Sequence, residues 1–313
     1  MTLTELRYIV AVARERHFGR AAEKCFVSQP TLSVAIRKLE DELGVVLFER
    51  GPGEVGVTPV GERVVEQAQR VLEEASAIKH IAEAGKDELA GPLRLGAIYT
   101  IGPYLMPQLI AQMKRRAPKM PLMIQESYTS SLAEMLKHGE VDVVILSLPF
   151  AHPGIVTQPV YDEPFRVVVP AGHAWASKSR ISTADLCREN LLLLSAGNCF
   201  RDQVLQLCTG AARDTDNSMR RSLEGGSLET IRQMVASGVG ITVLPSTAAE
   251  APLLDRRLLA IKPLAPGTPT RRVALAWRRS FPRRRAVETL RQAILASRLA
   301  GVTLLPDAEE TAG

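Results

Sequence analysis

The sequence predicts an α/β chain in three parts, and three observations predict it. Residues 1–58 carry apolar residues at helical spacing and close on a Gly-Pro-Gly turn. Residues 59–88 form one long amphipathic run. From residue 92 onward, strand-like and helix-like segments alternate, which is the pattern of an α/β sheet. The expected parts are a small N-terminal domain at 1–58, a linker helix at 59–88 and two lobes. The first lobe takes 92–161 together with 269–301, and the second takes 162–268.

Leu3, Leu6, Ile9, Val10 and Ala13 recur at helical spacing and give the first helix. A second fits 20–26, where Ala21 and Ala22 are small enough for close packing. A turn at Val27-Ser28 leads into a third. Ser28 is an N-cap residue, Pro30 fits only a first helical turn, and Leu32, Ile36, Leu39 and Leu43 make one apolar stripe. Gly44 stops this helix. VVLFER and VGVTP then flank Gly51-Pro52-Gly53, which predicts a short hairpin. Thr58-Pro59 opens the linker helix as cap and first residue. Its residues Val64, Ala68, Val71, Ala75 and Ile78 step by about 3.5 on average, the coiled-coil period. That favours a dimerising helix over one packed only on its own domain, ending near Gly85.

After Pro92, LRLGAI, 103–116, LMIQES, 131–139 and VDVVILS read β-α-β-α-β. Apolar runs this continuous suit strands of a parallel sheet buried on both faces. A second set follows as FRVVV, 183–189, LLLLS, 200–210, 227–238 and ITVLP. RRVALAW and a helix at 284–299 most economically return to complete the first lobe, and the last dozen residues read as frayed. Two such lobes leave a cleft at the strand C-termini, where open α/β sheets bind ligands.

Composition excludes several classes. The chain has 313 residues, of which 46% are hydrophobic and 23% charged, so it is not a disordered chain. No run approaches the roughly 18 apolar residues of a spanning helix. The N-terminus has no secretory pattern, so the expected place is the cytoplasm, away from membranes. Net charge is +5, yet residues 1–58 cancel to zero and 269–291 carry eight Arg against one Glu. The total charge therefore decides nothing. The four cysteines, Cys25, Cys187, Cys199 and Cys208, show no CxxC and no zinc spacing, so no metal or other cofactor is called for.

Two segments carry chemistry. In GRAAEKCFVSQPTLSVAIRKLEDELGVVLFER, residues 19–50, the third helix has one face for a core and another for a groove. Off its apolar stripe lie Gln29, Pro30, Thr31, Ser33, Val34, Arg37 and Lys38. Gln29 and Arg37 suit base edges, while Ser28, Thr31, Ser33 and Lys38 suit phosphates. The charge over 18–38 is +3, from Arg20, Lys24, Arg37 and Lys38 against Glu23. On patterning alone, the alternative is a three-helix domain that only binds other proteins.

The second segment is SAGNCFRDQVLQLC, residues 195–208. Asn198 suits the N-cap of a helix starting at Cys199, and a cysteine in a first helical turn feels the positive end of the dipole, which favours thiolate. Arg201 can add to this. From spacing alone, Cys199 and Cys208 read first as small buried hydrophobes, the usual fate of free cysteine. Thr100 and Thr129 follow predicted strands and precede helices, which puts them at the cleft as ligand-binding hydroxyls or as plain helix caps.

The run 19–50 resembles, without a gap, the winged helix-turn-helix of LysR-type transcriptional regulators. The resemblance covers essentially the whole chain. That family places such a domain before a linker helix and a two-lobed, periplasmic-binding-protein-like regulatory domain. It implies promoter DNA and RNA polymerase as partners, a homodimer through the linker helix and a homotetramer. Within the family, the chain looks like the hydrogen-peroxide sensors. The matching runs are Cys199-Phe-Arg-Asp202-Gln203 with the eight-residue gap to Cys208, YTIGPYLMPQLI at 99–110, SLET at 227–230 and GITVLP at 240–245.

This closer resemblance implies that hydrogen peroxide oxidises Cys199 to a sulfenic acid and that Cys208 resolves it as a disulfide. Promoter binding and activation of antioxidant genes change as a result. It further implies that Thr100 and Thr129 hydrogen-bond the peroxide and that Asp202 helps organise water and proton transfer. Such sensors carry His before the reactive cysteine; here Asn198 stands there and holds no proton at neutral pH. Cys25 and Cys187 match no role and are expected to be buried. Arg271, Arg272 and the arginines of 278–285 read as a solvated face, with pairing between subunits as the alternative.

A LysR-type regulator answering a small organic effector, with inert cysteines, is the nearest rival. A thiol peroxidase is disfavoured by the DNA-binding domain, and a solute-binding transport protein by the lack of a signal sequence.

Overall fold

A computed structural model describes residues 1–49, 55–84, 87–189, 191–208, 224–252, 256–265 and 267–312. The chain divides into two compact units, Met1–Lys86 and Asp87–Gly313.

In the first unit, α1 (Leu3–Glu15) begins with a capping box. The Thr2 hydroxyl accepts from the Glu5 N–H, while the Glu5 carboxylate accepts from the Thr2 N–H at 2.7 Å. Helix α2 (Phe18–Lys24) starts two residues earlier than the periodicity predicts, because His17 Nδ1 accepts from the N–H groups of Gly19 and Arg20. Helix α3 (Gln29–Leu43) is capped by Ser28 and ends at Gly44, whose φ of +67° favours glycine. Leu6, Ile9, Val12, Ala21, Ala22, Leu32, Ile36 and Leu39 form the core between the three helices. Strands β1 (Phe48–Glu49) and β2 (Gly56–Val57) pair antiparallel. The predicted Gly51-Pro52-Gly53 tip lies outside the described residues.

Helix α4 (Pro59–Ala84) starts where Thr58 Oγ1 accepts from the Gly61 N–H at 2.9 Å. Gly61 is required there because a Cβ would collide with the Leu47 carbonyl. The predicted apolar stripe divides by use. Ala68 is buried against this unit's own core with Val64 beside it, whereas Val60, Val71 and Ile78 stay exposed. Cys25 is half-buried rather than buried, and that burial pushes its thiol pKa up.

The second unit runs β3 (Leu93–Ile98), α5 (Gly102–Arg116), β4 (Leu122–Ser127), α6 (Thr129–Lys137), β5 (Val143–Ser147) and β6 (Ile155–Pro170). Then come β7 (Ile181–Ser182), α7 (Thr183–Leu186), β8 (Leu193–Leu194), α8 (Cys199–Gln206), β9 (Glu224–Gly225) and α9 (Leu228–Ala236). The chain finishes with β10 (Thr242–Pro245), α10 (Ser246–Ala249), β11 (Leu259–Ala265), β12 (Thr270–Arg278), α11 (Arg284–Leu295), β13 (Thr303–Leu304) and β14 (Thr311–Ala312).

The first-lobe sheet has the order β4-β3-β5-β12-β6. Strands β4, β3 and β5 are parallel, but β12 runs antiparallel to both β5 and β6, so the sheet is mixed rather than all parallel. Every residue of β5 is buried, as its apolar run predicts. Strand β4 departs from that expectation: it lies at the sheet edge and leaves Met123 and Ile124 exposed.

Strand β6 is sixteen residues long and serves both lobes. Ile155–Pro164 pairs with β12, while Phe165–Pro170 pairs with β10 on one side and β11 on the other. Each lobe has its own core, one around Leu95, Leu109, Ile145, Trp277 and Leu290, the other around Val167, Trp175, Ile231, Val243 and Leu264.

Two expectations are corrected here. The tail is not frayed, because β13 and β14 add to β6. The arginine run is a solvated face only in part. Arg271, Arg278 and Arg283 are buried because each finds polar partners. Arg283 donates to the carbonyls of Glu88, Ala90, Gly91 and Pro92, which fixes the start of this unit. Arg278 donates to those of Leu136 and Val141. Of the predicted face, Arg272, Arg279, Arg284 and Arg285 are exposed.

Candidate functional site

Two surfaces carry the residues singled out above. On α3, Gln29, Pro30, Thr31, Val34, Arg37 and Lys38 are exposed, as is the cap residue Ser28, and Ser33 is half-buried. Leu32, Ile36 and Leu39 occupy the opposite face, in the core. The helix thus presents a continuous polar edge. Phe26 belongs to the same neighbourhood but carries no periodic signal, because it sits in the turn before α3. Its φ is +56° and its side chain is 96% exposed.

The second surface lies where β6 and β12 pass between the lobes. Their register sets Arg271 opposite Glu163, and the two side chains pair at 2.7 Å with no solvent exposure. Arg271 also donates from Nη1 to Thr100 Oγ1 at 2.7 Å and from Nη2 to the Thr100 carbonyl at 2.9 Å. The other Glu163 oxygen accepts from the N–H and the hydroxyl of Thr247. The guanidinium carbon lies 5.4 Å from the centroid of the Phe200 ring. A buried ion pair is tolerated when its spare donors and acceptors are filled, and this one meets that condition.

Helix α8 belongs to the second lobe through Phe200 and Val204, which are buried in its core. It touches the first lobe through Cys199, half-buried against that core, and through Gln203, whose Nε2 donates to Ser147 Oγ at 3.0 Å. Asn198 holds the N-cap position and is buried, yet its amide turns back to donate to the Ser195 carbonyl at 3.0 Å. No side chain caps α8, so the first-turn N–H groups around Cys199 keep the positive end of the dipole exposed to it. Arg201 does not add to this as expected. It donates to the Leu194 carbonyl and pairs with Glu224 at 2.8 Å, which ties α8 to β8 and β9.

Thr100 is buried and held by Arg271. Thr129 is the first residue of α6, and its Oγ1 is buried with no hydrogen-bond partner. Neither caps a helix, since the N-cap positions are Ile101 and Tyr128, so the capping alternative fails. A Cβ on Gly197 would lie 3.7 Å from the Tyr128 ring, so the loop entering Cys199 passes beside the start of α6. Asp202 is exposed on the first turn of α8. The fold thus draws the Thr129 and Cys199 segments together, and Arg271 links Thr100 to Phe200, while Asp202 stays at the solvent side.

The Glu126 side chain lies against Gly102 at the start of α5 and would have to shift for any Cβ there, and burial raises that carboxyl's pKa. Tyr104 on α5 reaches across to the second lobe, donating to Glu229 Oε1 at 2.8 Å. No local pattern marks that contact, whose partners are 125 residues apart. A cavity of about 780 Å³ opens between the lobes beside Gln203 and Arg271, walled by Leu148, Phe150 and Phe165.

The cysteine pairing implied by the resemblance is not the one present. Cys208 is bonded to Cys187, with Cα atoms 5.5 Å apart, and Cys199 is free. Cys187 is half-buried at the C-cap of α7 and so has a partner that its sequence context does not suggest. The reason is geometric. Helix α8 is intact, and the Cys208 N–H continues its last turn by donating to the Leu205 carbonyl at 3.0 Å. Nine residues of helix span roughly 13 Å, whereas a disulfide needs Cα atoms about 4.4–6.8 Å apart.

Among the described residues, no group of three or more His, Cys, Asp or Glu could hold a metal ion. No helix there is long and apolar enough to cross a membrane.

Comparison with known proteins matches residues 3–62 to the bacterial regulatory helix-turn-helix protein, lysR family, and residues 86–298 to the LysR substrate binding domain. The chain is 41% identical over 294 residues to a hydrogen peroxide-inducible genes activator from Dickeya chrysanthemi, covering 94% of this chain and 95% of the relative. It is also 41% identical over 296 residues to the DNA-binding transcriptional dual regulator OxyR of Escherichia coli, covering 95% of each. A full-length OxyR variant from Pseudomonas aeruginosa superposes with a TM-score of 0.74 at 52% identity, over 95% of this chain and 98% of that one. A hydrogen-peroxide-bound OxyR variant from Corynebacterium glutamicum gives 0.63 at 34% identity, over 94% and 91%.

Proposed function

Because the chain belongs to the LysR family of bacterial helix-turn-helix regulators, we propose that it is an OxyR-type transcription regulator that senses hydrogen peroxide through Cys199. The observation that carries this reading is the free thiol of Cys199 in the uncapped first turn of α8, between the two lobes. Its relatives are hydrogen peroxide-inducible activators.

Attack of the Cys199 thiolate on one peroxide oxygen breaks the O–O bond and expels hydroxide, a poor leaving group without a hydrogen-bond donor. Thr100 Oγ1 accepts from Arg271 and so keeps its own proton to donate. Thr129 Oγ1 is buried without a protein partner and supplies a second hydroxyl. Asp202 at the solvent side organises water for proton transfer. Cys208 then resolves the sulfenic acid, which requires α8 to unwind and the Gln203–Ser147 bond between the lobes to break. A helix with two arrangements is the element that a local redox event can bias.

In the DNA-binding part at 1–58, Gln29 and Arg37 read base edges. Ser28, Thr31, Ser33 and Lys38 hold phosphates, and Pro30 and Val34 shape the contact. The linker helix, 59–88, pairs two copies, and two such dimers make the tetramer that works with RNA polymerase on promoter DNA. A groove of about 600 Å³ supports the pairing. It is floored by Leu6, Leu43, Val64 and Ala68 and edged by the exposed Val60 and Val71. The working compartment is the cytoplasm, and the output is activation of antioxidant genes.

Cys199→Ser in the full-length protein tests the reading. Peroxide should change promoter binding by the wild-type protein and leave the variant unaffected. A variant that still responds returns the cleft to a small-effector function.

A further inference from the structure

Resting on the reading of Cys199 as the peroxide-reactive thiol, we propose that Cys187 is a third redox residue, which captures Cys208 and ends the oxidised signal. Two observations carry it. Cys187 and Cys208 are joined in a fold where Cys199 is a free thiol and α8 is fully formed. Both cysteines are held at helix ends. The Cys187 N–H donates to the Thr183 carbonyl at the end of α7, and the Cys208 N–H donates to the Leu205 carbonyl at the end of α8. The bridge therefore costs neither helix its hydrogen bonds, whereas a bridge from Cys199 to Cys208 must dismantle α8.

The chemistry balances in three steps. The Cys199 thiolate takes one oxygen of hydrogen peroxide, the other leaves as hydroxide, and a sulfenic acid forms. The Cys208 thiolate attacks the Cys199 sulfur, the S–O bond breaks, and hydroxide leaves as the 199–208 disulfide forms; the protons given up by the Cys199 and Cys208 thiols turn the two hydroxides into water. The Cys187 thiolate then attacks the Cys208 sulfur, and Cys199 departs as a thiolate that can take up the proton Cys187 lost. Overall, two thiols become one disulfide, one peroxide becomes two waters, and Cys199 is unchanged. The driving force for the last step is the refolding of α8. Phe200 and Val204 regain the second-lobe core, Gln203 regains Ser147, and Phe200 comes back under Arg271.

The state described here is thus spent rather than poised. Its reactive thiol is present, but the thiol that would resolve it is already bonded. A second peroxide would carry Cys199 to a sulfenic acid and no further, until a dithiol reductant reopens the 187–208 bridge.

The test starts from fully reduced full-length protein given one equivalent of hydrogen peroxide, with thiols alkylated and disulfide-linked peptides mapped by mass over time. The wild-type protein should pass through a 199–208 linkage and accumulate 187–208, with Cys199 alkylated. Cys187→Ser should lose the second linkage and retain the first, with its altered promoter binding prolonged. Cys199→Ser should leave Cys187 and Cys208 as thiols. Accumulation of 199–208 alone in the wild type overturns the proposal, as does equal formation of 187–208 in Cys199→Ser. A Cys208→Ser arm separates the two hypotheses. If a sulfenic-acid probe labels its Cys199, the sensing reading stands whatever becomes of Cys187; if it does not, that reading fails first.

Discussion

Arg271 and Glu163 lie 108 residues apart in sequence, yet they face each other across β12 and β6 and are both withdrawn completely from solvent. Through Arg271 the pair grips Thr100, and through Glu163 it grips Thr247, so one ion pair holds elements of both lobes. Removing one partner strands a buried charge. Glu163→Ala should therefore lower stability by about 3–5 kcal/mol in urea unfolding. The double variant Arg271→Met with Glu163→Leu should recover most of that loss, but Cys199 oxidation should stay slow because Thr100 is no longer held. A double variant that oxidises at the wild-type rate would remove Arg271 from the reaction.

Arg37 is exposed on α3, and its side chain supports no core contact. Arg37→Ala should weaken promoter binding by about 1–3 kcal/mol if the guanidinium contacts a base bidentately, with unfolding unchanged. Fluorescence anisotropy at fixed salt measures the first and thermal denaturation the second. Undiminished affinity at moderate salt sinks the assignment of this helix face.

Asn198 spends its amide on the Ser195 carbonyl and has no titrating group. Asn198→His can keep that bond and adds an imidazole that titrates near neutrality. The rate of Cys199 oxidation should then acquire an inflection between about pH 6 and 7, with the same product. Identical pH–rate profiles for the two proteins would leave position 198 a purely structural one.

Of the five tyrosines, Tyr161 is buried and Tyr104 half-buried, and in both loss of solvent raises the phenol well above its usual range; beside them, Glu163 and Glu229 push the same way. A group whose pKa is raised by folding contributes stability that is complete below its unfolded pKa, about 10, and is lost as pH climbs past it. Stability should hold to about pH 10 and fall beyond it. Phenolate absorbance should show these two ionising only together with unfolding. Tyr104→Phe should flatten part of that decline. Reversible ionisation of all five in the folded protein would contradict it.

Cys187→Ser traps the intermediate that the wild-type protein passes on, and there α8 should be open. Amide hydrogen exchange over 200–206 should accelerate after peroxide in this variant. Unchanged protection, in protein shown by mass to carry the 199–208 bridge, would refute the unwinding.

What the sequence discloses follows from range. The stripe Leu32, Ile36 and Leu39 and the run Val143–Ser147 declare helix and strand because neighbours within a few residues share one environment. The second half of strand β6 is legible as FRVVV, but its first half, 155–164, is hidden because Pro159 and Pro164 interrupt it and Asp162 and Glu163 break its apolar pattern; its pairing with β12 shifts register near Pro159. Arg271 reads as a surface charge because only a partner 108 residues away makes its burial tolerable. The site divides in the same way. Cys199 and the two threonines are found through matching segments. Cys187 is not, since bridge connectivity is set by where two helix ends meet and not by spacing.

The C-terminal strands have a practical consequence for anyone handling the protein. Strand β14 pairs Thr311 with Thr157 and Ala312 with Val156, and β13 covers Asp162 and Tyr161 just beyond. With β12 on its other flank, the first-lobe stretch of β6 then has a neighbour on both sides. Cutting the chain before Thr303 would leave a row of backbone N–H and C=O groups open along that edge, a template for strand addition by another molecule. A purification tag fused directly to the last residue would pull on the same hydrogen bonds, so tags belong on a spacer. A frameshift or stop codon in the final dozen positions should appear in the laboratory as inclusion bodies before it appears as lost regulation.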